Sequence, residues 1–395
     1  MDRIRWRTGS PRRRWNRTSG WLLWFMWGLL LVMLVRGAVF YLDEHGGKKA
    51  GQMERLEDTP LKVTAGEQGV QVSAEPVIAA KEKAIEPASQ AKPPKAQVSS
   101  NKKPAQTISS YDRMWVNVYL TEEKRIEKMP IELYVRGVLA GEMPIDFELE
   151  ALKAQAIAAR TYIYKRLQQH DRSGLDGKAE MADVNDTVMN QVYVPLGRLL
   201  SRWDGTAKET NLAKLNEAIE QTKGQIVTYE GEPIQASFFS TSNGYTENAS
   251  DYWDMDLPYL RSVASPWDKT ISPNYKETVT MTLKSFSAKL GVKQSAVRQM
   301  RILDTTEGKR IKTVMIGREK FSGREIREKL GLASSQFIWT ILDDEIRITT
   351  FGYGHGVGMS QWGANGMAKN GQSAGQILAH YYTGTKLEKA AGLVD

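Results

Sequence analysis

The chain has 395 residues, no cysteine and four histidines, which excludes disulfide frameworks, thiolate metal sites and cysteine nucleophiles. Its net charge of +8 lies wholly in the first 108 residues, which hold 18 Lys+Arg against 10 Asp+Glu, while the remainder balances at 36 of each. The part able to fold therefore offers no basic excess to a polyphosphate, and nothing points to nucleic-acid binding.

Residues 1–20 form a basic tail with seven arginines and one acidic residue. The run Trp21–Leu42, WLLWFMWGLLLVMLVRGAVFYL, then carries one charge, Arg36, in 22 residues. An apolar run of about 20 residues spans a bilayer as a helix. Arginines ahead of it predict a cytoplasmic N-terminus with the rest of the chain outside the cell membrane. The alternative, a cleaved signal peptide, lacks a small-x-small site close behind the apolar run. Residues 43–108 are rich in Lys, Ala, Glu, Gln, Pro and Ser and poor in aromatics, and read as a disordered linker.

Residues 109–395 read as a single α+β domain, helices packed on antiparallel strands, with an inserted α+β subdomain at 275–345. The alternating RMWVNVYL predicts a strand. Ile131, Tyr134, Val135, Val138 and Leu139 fall at helical spacing behind Pro130, with Gly141 and Pro144 expected to end that helix. A longer helix is expected over 148–169, a loop-rich stretch over 171–206, a helix over 211–222, then strands QIVTYEG and IQASFFSTS. In the insertion, a strand (ETVTMTL), a helix (KSFSAKLGV), a hairpin (AVRQMRILDTTEGKRIKTVMIG, 296–317), a helix capped by Ser322 and a second hairpin (FIWTILDDEIRITTFGYG, 337–354) leading into a glycine-rich stretch follow. Helices at 360–369 and 373–382 close the chain.

Glu142, in GEMP, falls where a helix ends. The negative end of the helix dipole disfavours a charged carboxylate there, and burial would raise its pKa in the same direction. A carboxylic acid still protonated near neutral pH is what a general acid at a glycosidic bond needs. An exposed helix-end glutamate is the competing reading. In the next helix, Lys153 and Arg160 share one face, suited to an anionic or polyhydroxyl ligand or, alternatively, a solvated face with Lys153 paired to Glu150.

The stretch GYGHGVGMSQWGA, Gly352–Ala364, fails the spacing of a dinucleotide fingerprint and of a P-loop. No G-x-S-x-G is present to make His355 part of a serine triad. As an extended strand it would place Gly352, Gly354, Gly356 and Gly358 on one bare face and Tyr353, His355, Val357 and Met359 on the other. That face admits a flat ligand or a closely packed element of the protein itself. Ser360 would cap a helix and set Gln361 and Trp362 in its first turn beside His355.

The motifs LAGEMP, EALKAQAIAARTYIYKRL, DTVMNQVY, FFSTSNGYTENASDYW and GYGHGVGMSQWGANGMA, in this order, resemble the stage II sporulation protein D family, which also includes amidase-modifier proteins. The resemblance covers about 110–390, interrupted at 275–345. It implies a membrane-anchored lytic transglycosylase that cuts peptidoglycan strands stripped of stem peptides, between N-acetylmuramic acid and N-acetylglucosamine, leaving 1,6-anhydro ends. Glu142 matches the family's catalytic glutamate, acting as acid and then as base. Groove residues for the glycan would be Lys153, Arg160, Tyr193, Ser240, Tyr245, His355, Gln361 and Trp362, with Thr241–Gly244 as an exposed turn. The implied partners are stage II sporulation proteins P and M, and the implied compartment is the space between mother-cell and forespore membranes during engulfment. The alternative is a non-catalytic wall-binding amidase modifier. Some relatives bind zinc with cysteine and histidine near DVNDTVMNQVY. Here Asn185, Met189 and Asn190 stand in that segment, so no metal and no cofactor is expected.

Overall fold

The computed structural model describes residues 109–393 apart from Asp254. The basic tail at 1–20, the expected membrane span at 21–42 and the linker at 43–108 lie outside the described residues. Among the described residues no helix is long and apolar enough to cross a membrane. Helices and strands are mixed as an α+β domain, and most strand pairs are antiparallel.

Strand β1 (Trp115–Leu120) buries Val116, Val118 and Leu120 on alternate positions and pairs antiparallel with β2 (Arg125–Pro130). Pro130 sets the entry to helix α1 (Ile131–Glu142), whose buried stripe is Ile131, Tyr134, Val135, Val138 and Leu139. Gly141 does not end this helix, contrary to the expectation from its sequence. The helix runs through it to Glu142, Met143 donates its N–H to the Leu139 carbonyl, and Pro144 prevents continuation.

Helix α2 (Leu149–Gln168) is the axis of the fold. Ala151, Ala154, Ala156, Ala158 and Ala159 are all buried, and such small side chains let α1 and several later helices pack closely around it. The expected loop-rich stretch holds a two-residue strand β3 (Val184–Asn185), parallel to β1, and a short helix α3 (Leu196–Leu200). Helix α4 (Gly205–Thr222) starts six residues earlier than the apolar pattern indicated, since its first turns are exposed and carry no apolar period. Strand β4 (Gln225–Tyr229) pairs with β5 (Glu232–Pro233). The strand expected over IQASFFSTS contracts to β6 (Phe238–Phe239).

Two short helices, α5 (Ala249–Trp253) and α6 (Asp268–Ile271), lead to the segment expected as an insertion. The stretch 276–351, which runs six residues past the expected end, contains β7 (Lys276–Thr282), α7 (Leu283–Leu290), α8 (Gln294–Val297), β8 (Arg301–Thr305), β9 (Ile311–Ile316), β10 (Glu319–Ser322), α9 (Gly323–Leu330), β11 (Phe337–Leu342) and β12 (Glu345–Phe351). Two three-stranded sheets, β10-β9-β8 and β11-β12-β7, enclose a hydrophobic cluster of their own with Phe286, Val314, Ile326, Phe337 and Ile348 inside. Ser322 forms a capping box with Glu325. The segment leaves and returns at adjacent points, where Lys276 pairs with Phe351.

Its tip returns to the rest of the domain. Arg310 is buried, donates to Glu247 Oε1 at 3.3 Å and to the Tyr245 carbonyl at 3.3 Å, and Thr306 donates to the same carboxylate at 2.7 Å. Asn243 bonds the Gly308 carbonyl at 2.8 Å.

The glycine stretch is not the extended strand its alternation suggested. Gly352, Gly354, Gly356 and Gly358 have φ of 78°, 113°, 91° and 79°, left-handed values that glycine alone adopts without strain. Nor is the glycine side bare toward solvent. A Cβ at Gly354 would sit 2.9 Å from that of Phe239, one at Gly356 2.4 Å from the Arg310 guanidinium, and one at Gly358 2.0 Å from the Ser237 carbonyl oxygen. The ribbon is packed internally. It delivers β13 (Met359–Ser360), parallel to β6, and then α10 (Gln361–Lys369), α11 (Ala374–Tyr381) and β14 (Lys386–Lys389), which pairs with β4.

Candidate active site

Helix α1 carries two glycines one turn apart, Gly137 and Gly141, and the segment 191–194 lies flat on them. A Cβ at Gly137 would meet the Tyr193 ring at 2.2 Å, and one at Gly141 the Val192 carbonyl oxygen at 2.3 Å. Tyr193 stacks on Tyr134 with centroids 5.6 Å apart, and the Tyr134 hydroxyl donates to Gln191 at 3.0 Å. This close approach aims the Val192 N–H at Glu142, whose Oε1 accepts it at 2.8 Å. From the other side Gln361, first residue of α10, donates through Nε2 to Glu142 Oε2 at 3.3 Å.

Glu142 opens on a cleft of about 340 Å³ lined by Pro144, Ile145, Leu199, Arg202, Trp203 and Leu215 among others. Burial raises the pKa of its carboxyl, and the bonds from Val192 and Gln361 offset part of that rise. Oε1 is committed to the shorter bond with a backbone donor, and Oε2, which accepts only the longer Gln361 bond, is the oxygen better placed to carry a proton. A half-buried carboxylic acid held at two points beside a cleft is the arrangement of a general acid.

Gln361 is placed by a knot of hydroxyls around buried Asp268. The Ser360 side chain caps α10 by accepting the Gly363 N–H and donates to Asp268 Oδ1. The Ser242 N–H donates to Oδ1 at 2.7 Å, while the Ser242 and Ser265 hydroxyls donate to Oδ2 at 2.9 and 2.7 Å. Ser265 also bonds Tyr381 at 2.8 Å. One carboxylate thus joins three stretches of chain, with Tyr381 reached through Ser265, and fixes the helix that presents Gln361.

Of the residues expected to line a groove, Gln361 touches Glu142 directly, and Trp362 packs edge-on against Phe147 with centroids 4.7 Å apart. Ser240 accepts the Trp362 N–H on its carbonyl at 3.1 Å. Tyr193 is buried beneath the Val192 segment, its hydroxyl 3.1 Å from Met129 Sδ. Lys153 pairs with Glu150 at 2.6 Å. Arg160 does not share a solvated face with it: its side chain is 0% exposed and forks onto Glu132 at 2.7 and 3.1 Å, with further bonds to the Gln225 carbonyl and Thr222. Tyr245 is exposed, with the Lys309 ammonium 6.0 Å from its ring centroid.

His355 lies among Phe239, Tyr252 and Trp253, ring centroids 5.5–5.7 Å away, and no bond among the described residues links it to Glu142 or Gln361. Its Nδ1 accepts the Val357 N–H at 3.1 Å. Burial, with Arg327 and Arg310 nearby, brings its pKa down to about 4.

In the 185–190 segment, Asn190 Oδ1 accepts the Asn185 N–H at 2.8 Å and Asn190 Nδ2 donates to the Tyr162 hydroxyl at 3.2 Å. Asn185 Oδ1 accepts from Thr187 N–H and hydroxyl at 3.0 and 2.7 Å. The Met189 side chain is exposed. Among the described residues no cluster of three or more His, Cys, Asp or Glu could hold a metal ion.

Sequence reasoning missed the Val192 N–H, Asp268, Arg202 and Trp203. A backbone donor leaves no mark in composition, and Asp268 gathers partners from across the chain. Arg202 and Trp203 sit in a stretch with no periodicity at all.

The family model described as Stage II sporulation protein matches residues 119–229, the stretch that contains Glu142, the Val192 segment and the cleft wall at 199–203. The chain belongs to the stage II sporulation protein D family. It is 49% identical over 283 residues to stage II sporulation protein D of Bacillus subtilis (strain 168), covering 71% of this chain and 80% of that one. With the Bacillus amyloliquefaciens protein of the same name it shares 49% over 278 residues, 70% and 79% of the two chains. It is also 30% identical over 308 residues to the amidase enhancer of Bacillus subtilis (strain 168), covering 64% of this chain and 40% of that protein.

Proposed function

We propose that this protein is a lytic transglycosylase acting in sporulation on peptidoglycan glycan strands freed of stem peptides, with Glu142 as its acid and base. The observation that carries the reading is Glu142 itself: a carboxyl whose pKa burial raises, held by Val192 and Gln361 at the edge of a cleft.

In the first step Glu142 Oε2 gives its proton to the oxygen between N-acetylmuramic acid and N-acetylglucosamine as the bond to the muramoyl C1 breaks. The carboxylate so formed keeps its Val192 N–H bond, which stabilises the charge. It then takes the proton of the muramoyl 6-hydroxyl while that oxygen closes on C1. A 1,6-anhydro ring results and Glu142 ends as it began. One carboxyl serves both steps, unlike the usual two-carboxylate arrangement of glycosidases. The same reading makes residues 21–42 a membrane anchor. It places the domain between mother-cell and forespore membranes, with stage II sporulation proteins P and M as partners.

The test compares the full chain with Glu142→Gln on denuded strands, with products identified by mass spectrometry. Anhydro-muramoyl ends from the wild type and none from a folded Glu142→Gln protein support the reading, whereas reducing ends indicate hydrolysis by water. The 30% identity to an amidase enhancer favours a second reading, a wall-binding protein that stimulates an amidase. Intact glycan binding with no cleavage by either protein selects it.

A further inference from the structure

Among the described residues, the cleft beside Glu142 is lined by one cation, Arg202, and one large aromatic, Trp203, on the short connection between α3 and α4. Trp203 is half-buried against the main core, which holds its indole in place as a wall. Leu199, buried in α3, lines the same cleft. Three cations on neighbouring elements are already engaged. Arg198 pairs with Glu123 at 2.6 Å, Arg136 donates to Asn216 at 3.2 Å, and Lys214 donates to the Phe147 carbonyl at 2.6 Å. The Arg202 guanidinium has no hydrogen bond or ion pair among the described residues, and it is not among the groups acting on the Glu142 carboxyl. It is exposed, on the wall of a cleft whose size lies at the lower end of the roughly 300–1,000 Å³ usual for ligand sites.

A guanidinium with no partner among the described residues, next to an aromatic wall, is suited to a sugar bearing a carboxylate. The ring lies on the indole and the carboxylate takes two parallel N–H bonds. On the proposed glycan substrate the group with that chemistry is the lactyl side chain of muramic acid. A stem peptide converts its carboxyl into a neutral amide, and removal of the peptide restores the charge. We infer that Arg202 reads the free lactyl carboxylate of a muramoyl residue seated on Trp203, and so makes the site selective for strands without peptides. The inference rests on the transglycosylase reading for the identity of the substrate. The geometric part, a carboxylate-binding cation in the Glu142 cleft, is separable from catalysis.

The experiment uses the full chain and two matched glycans: denuded strands with free lactyl carboxylates, and the same strands with those carboxyls converted to methylamides. A methylamide reproduces the amide of a stem peptide without its bulk. Both binding and cleavage are measured for wild type, Arg202→Met and Arg202→Lys. Wild type is expected to prefer the free carboxylate by about tenfold or more, the size of one charge-assisted hydrogen bond. Arg202→Met brings the ratio close to one, and Arg202→Lys, which keeps the charge but not the fork, falls between. The preference of the wild type also declines as salt is raised, as an exposed charge contact must. A wild type indifferent to the modification, or an Arg202→Met protein that keeps the full preference, overturns the inference and leaves Arg202 a solvated surface arginine. If no protein cleaves either glycan, the transglycosylase reading fails, and the binding ratio alone still decides the role of Arg202.

Discussion

Replacing Gly141 by alanine tests the contact that positions Glu142. The added Cβ falls 2.3 Å from the Val192 carbonyl oxygen and 3.0 Å from its carbonyl carbon, roughly 1 Å inside ordinary contact for the oxygen. Both atoms are backbone and cannot rotate away, so the 191–194 segment must lift from α1. Overpacking of this kind costs about 1–3 kcal/mol. Alanine recovers up to about 1 kcal/mol over glycine inside a helix, and less in a last turn. The control is Gly197→Ala in α3, where a Cβ meets nothing within 4 Å, so only the favourable helix contribution operates. Calorimetry should find Gly141→Ala less stable than wild type by about 1–2 kcal/mol, a fall in Tm of roughly 2–8 °C for a domain of this size, with Gly197→Ala equal or higher. Lifting the segment also removes the Val192 N–H, which lowers the Glu142 pKa, so the carboxyl should titrate at higher pH still when followed by carbon NMR. If Gly141→Ala is as stable as Gly197→Ala and the titration does not move, the glycine contact does not hold the Val192 donor in place and the account of the site is wrong.

Glu142→Gln should lower the proposed cleavage by about 10²–10⁴-fold, the usual contribution of a general acid–base. Because the folded pKa of Glu142 is raised, its contribution to stability is full below the unfolded value and is lost as pH rises through the folded one. Glu142→Gln should therefore be the more stable protein at neutral pH, as denaturant titration will reveal. Arg160→Met leaves Glu132 facing an apolar side chain and should cost about 3–5 kcal/mol, with any loss of activity tracking the loss of folded protein in the same denaturation series. For His355 the folded pKa is depressed to about 4, so its contribution is full above the unfolded value and lost as pH falls toward the folded one. The domain should lose on the order of 3 kcal/mol between about pH 6.5 and 4 from this group, and His355→Gln should flatten that part of the pH–stability curve.

Much of the fold was legible because its signals are local. The apolar period of α1, the alternation of β1, the capping serines Ser322 and Ser360 and the hairpin β11–β12 all depend on residues within a few positions of each other. Glu142 was legible for the same reason, since a helix end can be read from Pro144. The glycine ribbon was not, because alternation implies two faces only for residues confined to negative φ, and glycine is not so confined. Arg160 was misjudged by its helical face. On α2 neighbours pack on every side, so a shared face with Lys153 does not mean shared solvent. The Gln361–Glu142 contact joins residues 219 apart in sequence, and the Asp268 knot closes with Ser360 over 92. No periodicity reaches across such distances.

The buried tip at Arg310 also governs how the domain comes apart. Segment 276–351 begins and ends at paired residues, an arrangement that would let it melt alone and leave the remainder standing. Arg310 prevents that separation. Its withdrawal would leave Glu247 buried without its cation and open the space on which Gly356 is folded. The contact should link the two hydrophobic clusters in one cooperative unit, so that heating yields a single calorimetric transition where the topology would allow two. Arg310→Met together with Glu247→Leu, which removes both charges, should let the second transition emerge at lower temperature.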